Sequence, residues 1–299
     1  MFSLAAAQGA GDSVWLIPID TEITPATAQF VSSRVAQAND EQPLALVFLV
    51  DTPGGQVSAM ERIVDSILGE ARLPTIAVVQ NAFSAGALIA MSAEQLVMLP
   101  GSSIGAALPV TIGPGGALSP VDEKMSSAMR GQFRSVAEAR GRNARAAEAM
   151  VDQRIEIPGL STSDELLTLT ATQAVEQGIA DLQAVNLTDA LERLGYGGVR
   201  VERIERNLTE RLATSLANPV VAAILLVLGL GGLLLELFSP GFGVPGAIGI
   251  IALALFAAGA YVATPAGTID VLLIVGGLVL LAVELLVLPG FGVAGILGL

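Results

Sequence analysis

Three features of this chain could do chemistry: Ser84, the turn Asp51-Thr52-Pro53-Gly54-Gly55, and Lys124. Ser84 lies in Asn81-Ala82-Phe83-Ser84-Ala85-Gly86-Ala87, between an apolar run that reads as a buried strand and a helix of small residues. A strand-to-helix turn projects a side chain, and the helix start offers unpaired N–H groups and positive dipole to a developing oxyanion. The arrangement is like a nucleophile elbow, although the Gly-x-Ser-x-Gly pattern is absent. A small residue needed for close packing, or as a helix cap, would look the same. The two glycines after Pro53 let the backbone approach a substrate carbonyl and aim N–H groups at it. An ordinary strand-to-helix turn shares that composition.

Absences narrow the chemistry. The 299 residues include no histidine and no cysteine, and Lys124 is the only lysine. A Ser-His-Asp triad, a cysteine nucleophile, disulfides and thiolate zinc sites are therefore excluded. Arginine stays protonated. A general base working near neutral pH must come from Asp, Glu, Lys124 or the chain terminus. A lysine serves as base only when its pKa falls well below ~10.4, through burial or nearby positive charge. A helix N-terminus acts in that direction, whereas Asp122 and Glu123 would act against it. A solvated surface lysine is the competing reading. The net charge of −13 argues against nucleic acid and against a polybasic membrane-surface patch.

The elements that must position these groups read as an α/β domain. Val14–Ile19, Leu44–Val50, Thr75–Val79 and Leu96–Leu99 are short apolar runs expected as strands. They alternate with helical patterns at Pro25–Ala38, Val57–Ala71 and Ser84–Met91, which points to a mostly parallel sheet. The stretches Gly101–Gly105 and Thr111–Pro120 read as loops. Helices are expected at Asp122–Arg140, with Lys124 in the first turn, at Ala144–Arg154, and at Leu187–Leu194. Thr170 and Gln173 form a capping box for a helix closed by Gly178. The Arg/Glu-rich segment Arg200–Arg211 is expected to lead toward a membrane.

From Asn218 to Leu299 only Glu236, Asp270 and Glu284 carry charge. Three segments, Pro219–Leu237, Val244–Ala263 and Ile269–Leu288, each approach the ~20 residues that cross a bilayer as a helix. A fourth apolar segment starts at Phe291 and reaches Leu299 after about a third of a span. Glu236-Leu-Phe-Ser-Pro240-Gly-Phe-Gly-Val-Pro-Gly246 recurs, with one inserted residue, as Glu284-Leu-Leu-Val-Leu-Pro289-Gly-Phe-Gly-Val-Ala-Gly295. Two similar helical hairpins, or one interfacial turn chemistry used twice, would both produce this repeat. Glu236 and Glu284 sit close to these turns, so an interfacial position is expected for each. The turns and the loop Thr264–Asp270 lack Lys and Arg, so charge does not orient the spans. Residues 1–11 resemble the small-residue end of a signal peptide, residues 12–210 form the expected soluble domain, and 219–299 the expected membrane domain, cut within its last segment.

Taken together, Asp51-Thr-Pro-Gly-Gly, Phe83-Ser84-Ala85-Gly86, the lone lysine forty residues on, Thr170–Asp181 and the multi-span segment resemble the NfeD family of membrane-bound serine proteases of the Clp class. The resemblance covers nearly the whole chain. It implies a Clp-protease/crotonase-like α/β fold, Ser84 as nucleophile and Lys124 as general base. It also implies an oxyanion hole from the Gly55 and Ala85 N–H groups, with Gly54 shaping the turn and Phe83 beside the substrate cleft. No cofactor or metal is implied. Expected partners are hydrophobic stretches of membrane-associated, stomatin-like proteins, the lipid bilayer and further copies of the chain in a homo-oligomer. The protease domain is expected outside the cytoplasm. Two other functions fit parts of the pattern: a crotonase-like enzyme for acyl-thioesters, and a non-catalytic scaffold binding stomatin-like proteins.

Overall fold

The computed structural model describes residues 11–112, 118–237, 243–263 and 276–277. The signal-like start, Asp270, Glu284 and the segments 269–288 and 291–299 lie almost wholly outside them. The chain divides into two compact units, one reaching from the N-terminal side to Ile23 and over Thr27–Glu205, the other holding Arg206 onward.

The first unit begins with β1 (Ser13–Ile19), buried along its length, and α1 (Pro25–Glu41), which starts at a proline as first-turn chemistry favours. There follow β2 (Leu46–Thr52), α2 (Val57–Asp65, continued by a π-helical turn Ser66–Glu70), β3 (Thr75–Phe83), α3 (Ala85–Ser92) and β4 (Gln95–Gly105). After β4 come β5 (Val110–Ile112), β6 (Leu118–Pro120), α4 (Glu123–Ala139), α5 (Ala144–Ala149) and β7 (Thr168–Thr170). The unit ends with α6 (Ala171–Glu176), β8 (Leu182–Gln183), α7 (Leu187–Arg193) and β9 (Arg200–Arg203).

The main sheet runs β7-β4-β3-β2-β1-β9, with β8 also on β4. Its pairings are parallel except β4–β7. Alternate residues of the central strands enter two cores. Ile17, Phe48, Val50, Ala77 and Val79 join the core that also holds Phe30, Met60, Leu88 and Phe133. Leu16, Val47, Val78 and Val97 pack with Ala190 and Leu191 of α7. Burial on both faces explains the nearly unbroken apolar runs.

Several expectations are corrected. Gly101–Gly105 is not a loop: β4 continues, and Ser103–Gly105 pairs with Asn81–Phe83 after a register shift. Its glycines and serines hide a ladder made by backbone groups. Thr111–Pro120 contains the β5–β6 hairpin ends, which pair antiparallel. The helix expected over Ala144–Arg154 stops at Ala149, and Asp152 Oδ1 instead accepts from the Arg154 backbone N–H at 3.0 Å. Within Arg200–Arg211 lies strand β9, followed by a separate helix. The Thr170–Gln173 capping box is present as read.

The second unit contains α8 (Leu208–Leu216), α9 (Pro219–Leu237) and α10 (Val244–Ala263). The last two are long and apolar enough to cross a membrane. They pack antiparallel through glycines. A Cβ on Gly232 would lie 2.6 Å from Pro245 O, and one on Gly249 would lie 2.8 Å from Gly229 O. Such close backbone approach is how apolar helices associate without a hydrophobic driving force. Glu236 is buried and its carboxylate accepts from the Gly243 N–H and, at 2.8 Å, from the Gly246 N–H. It therefore satisfies amides at the N-terminus of α10, where a negative charge is favoured.

Candidate active site

The site lies at the carboxyl ends of β2 and β3, where open α/β sheets place their ligand crevices. Both strands shift register just before ending, between Val50 and Asp51 and between Val79 and Asn81. Asn81 Nδ2 donates to Asp51 Oδ1 at 2.9 Å and ties the two ends together. Beyond β2, Thr52 Oγ1 donates to Thr21 O at 2.7 Å and accepts from Gly54 N at 3.2 Å, so the turn is held from within.

Ser84 connects β3 to α3 with φ +54° and ψ −121°. A non-glycine residue there is held by its surroundings, at a cost of order 1–3 kcal/mol. Its N–H donates to Gly105 O at 3.0 Å and its carbonyl accepts from Ala87 N at 3.1 Å, which pins both flanks. Among the described residues the hydroxyl makes no hydrogen bond.

Gly54 closes the arrangement from the other turn. It has φ +110°, and a Cβ on it would come 2.5 Å from Ser84 Cβ and 2.9 Å from Ser84 Oγ. Glycine is required here both by conformation and by the neighbouring serine. Gly86 plays a related part: a Cβ on it would come 2.5 Å from Thr52 Cγ2, so its absence lets α3 sit against β2. Ile23 bridges the turn by donating to Gly54 O and accepting from Gln56 N, both at 2.8 Å. That bridge leaves the intervening Gly55 N–H uncommitted, and Ala85 N–H, the first of α3, is likewise uncommitted among the described residues.

Ser84, Gly55 and Ala85 line a small open cleft of about 80 Å³ whose other lining side chains are apolar, among them Met60, Leu108, Pro109, Val110, Met129 and Phe133. Met129 and Phe133 come from α4, and Leu108–Val110 from the segment entering β5. These wall residues carried no motif and were missed in the sequence; helical spacing alone marks Met129 and Phe133 as inward. Gly54 is buried behind the lining, and Phe83 and Lys124 are not part of it.

Lys124 is exposed in the first turn of α4. At 100° per residue it stands about 140° from Met129 and about 180° from Phe133 around the helix. The structure therefore brings Ser84, Gly54, Gly55 and Ala85 together and leaves Lys124 on the face turned away from the cleft. Lys124 has no hydrogen bond or ion pair among the described residues. The start of α4 is held by others. Asp122 caps it by accepting from Met125 N at 2.9 Å. Glu123 pairs with Arg130 at 2.9 Å and Arg154 at 3.0 Å, and both arginines also pair with Asp152. Hydrogen bonds from Arg130, then Arg154, hold the Glu123 carboxyl below its ordinary range. Those from Arg154 above all hold Asp152 far below its own.

The family model described as NfeD1b, N-terminal domain, matches residues 13–204, and the NfeD integral membrane domain matches residues 220–299. The chain belongs to the NfeD family. This NfeD chain is 35% identical to the membrane protein NfeD1b of Bacillus subtilis over 98% of its own length and 66% of that protein's. It is 28% identical to the membrane-bound protease PH1510 of Pyrococcus horikoshii, over 99% of this chain and 68% of that one. The chain thus spans about two thirds of the length of these curated relatives. Among solved structures, the 1510-N membrane-bound stomatin-specific protease, in a serine-to-alanine form, superposes with a TM-score of 0.58 at 25% identity. That match covers 66% of this chain and all of the other. The NfeD chain is therefore an α/β domain with the fold of that 1510-N domain, followed by C-terminal helices, two of them candidate membrane spans.

Proposed function

We propose that this NfeD chain is a membrane-anchored serine endopeptidase cleaving hydrophobic segments of stomatin-like, membrane-associated proteins, its protease domain outside the cytoplasm and its copies assembled as a homo-oligomer. Ser84 is the nucleophile and Lys124 the general base. The observation that carries the reading is the constrained turn at Ser84, which presents a free hydroxyl to an apolar cleft beside the uncommitted N–H groups of Gly55 and Ala85. The relatives named as proteases support it.

In the reaction, neutral Lys124 takes the Ser84 proton as Oγ bonds to the peptide carbonyl carbon. The carbonyl oxygen becomes an oxyanion held by the Gly55 and Ala85 N–H groups. The C–N bond then breaks, with the proton passing from Lys124 to the leaving amine, and water hydrolyses the acyl-enzyme. Lys124 stands outside the cleft lining, so this reading has the first turn of α4 bring it to Ser84 when substrate binds. The orientation of Lys124 is the specific observation that favours the alternative, a scaffold that binds hydrophobic segments in this cleft without cutting them.

Purified full-length protein in lipid nanodiscs, incubated with peptides from the hydrophobic tails of stomatin-like proteins, separates the two. Cleavage that falls by on the order of 10³-fold or more in Ser84→Ala supports the protease. Saturable binding with no cleavage, unchanged by Ser84→Ala, supports the scaffold.

A further inference from the structure

Residues 205–219 lie between the two matched domains and belong to neither. Within them lies α8, opened by a capping box in which Asn207 accepts from Glu210 N and Glu210 accepts from Asn207 N, both at 2.8 Å. Around this helix Leu208, Leu212 and Leu216 fall within about 80°, while Glu210 and Thr214 occupy the opposite side and Arg211 flanks the stripe beside Leu208. Leu208 is 74% exposed and Leu212 56% exposed. The third leucine is different. A Cβ on Gly259 of α10 would lie 2.3 Å from Leu216 O, so the last turn of α8 rests backbone to backbone on α10. Only Ala217 and Asn218 then separate α8 from α9, and Asn218 Oδ1 accepts from Val220 N at 2.9 Å to start that helix. On α9, which starts three residues after Leu216, Val220, Ile224 and Val227 are also exposed.

We propose that α8 is an interfacial helix, lying on the bilayer with Leu208 and Leu212 in the acyl boundary, Glu210 and Thr214 toward water, and Arg211 at the edge between them. The occupant of its apolar face is lipid, because only Ala217 and Asn218 join this helix to α9, which is long and apolar enough to cross a membrane and exposes its own apolar side chains. A short amphipathic helix joined to a span by two residues is placed to lie in the interface rather than cross it. The chain then meets lipid before its first span begins.

The absence of cysteine makes the test direct. Leu208→Cys, Leu212→Cys and Thr214→Cys variants of the full chain each carry one environment-sensitive fluorophore in phosphatidylcholine/phosphatidylglycerol vesicles. Quenching by lipid-borne nitroxide is compared with quenching by iodide. Labels at 208 and 212 are expected to favour the lipid quencher several-fold, and a label at 214 to favour iodide. Iodide quenching as strong at 208 and 212 as at 214 overturns the proposal, since the helix then stands in water. Shielding of 208 and 212 from both quenchers also overturns it, since protein then covers the face.

Discussion

Ser84 carries a backbone conformation that its own Cβ makes costly, and the fold supplies what holds it there: Gly105 O on one side, Ala87 N on the other, and a glycine at 54 that leaves room. This can be separated from the hydroxyl's chemistry. Ser84→Gly and Ser84→Ala both remove the nucleophile, but only glycine removes the Cβ penalty. Ser84→Gly is expected to be more stable than Ser84→Ala by about 1 kcal/mol in thermal melts. Equal or reversed stabilities would mean that the turn stores no such strain. The residue types were legible in the sequence because a chain without His or Cys offers few ways to activate a serine. The geometry was only half legible: Asp51–Gly55 and Phe83–Gly86 announced tight turns, yet their meeting depends on two strand register shifts that no local pattern records. Arg142 was not legible at all. Its buried guanidinium donates to Ala93 O at 3.0 Å, Ile179 O at 2.8 Å and Asp181 Oδ2 at 3.0 Å, whereas an arginine in a charged stretch reads as surface.

At the scale of elements, α4 joins the cleft wall to the proposed base. Its middle gives Met129 and Phe133 to the cleft, while its first turn is tied by Glu123, Arg130, Asp152 and Arg154. If the first turn must reorganise for Lys124 to reach Ser84, loosening these ties should help. Exposed pairs of this kind contribute little, so loosening them is a mild change. Glu123→Gln is therefore expected to raise the rate of covalent inhibitor capture at Ser84 by up to about fivefold. A slower rate would show that the ties hold α4 in its working position. The pH dependence has a definite sign. Both carboxyls are held below their ordinary range, so the ties are complete above ~4 and are lost as the pH falls through the lowered values. Melting temperatures followed into acid should fall less steeply for Glu123→Gln than for the unaltered chain. Parallel curves would remove Glu123 from the acid-labile ties. The helix itself was legible from its apolar spacing, but these ties cross from α4 to a turn near residue 152 that the sequence read as helix.

At the scale of the whole chain, composition divided the charged part from the apolar part, and the two described helices that are candidate spans fall where their hydropathy placed them. The capping role of Glu236 was not legible, because it depends on the chain folding back after α9. Glu236→Ala leaves the Gly243 and Gly246 amides without their acceptor, and should destabilise the α9–α10 hairpin by about 1–2 kcal/mol, more than Glu236→Gln. Detergent-dependent unfolding of the two variants checks this; equal stability would make the carboxylate incidental. The central claim concerns Ser84 and Lys124 acting together. It is tested most directly by reacting the full-length chain, in nanodiscs, with a fluorophosphonate and locating the adduct by mass spectrometry. The account predicts stoichiometric labelling at Ser84, none in Ser84→Ala, and labelling slowed by at least about a hundredfold in Lys124→Ala. An unlabelled chain, or Lys124→Ala labelled at the rate of the unaltered chain, would contradict it.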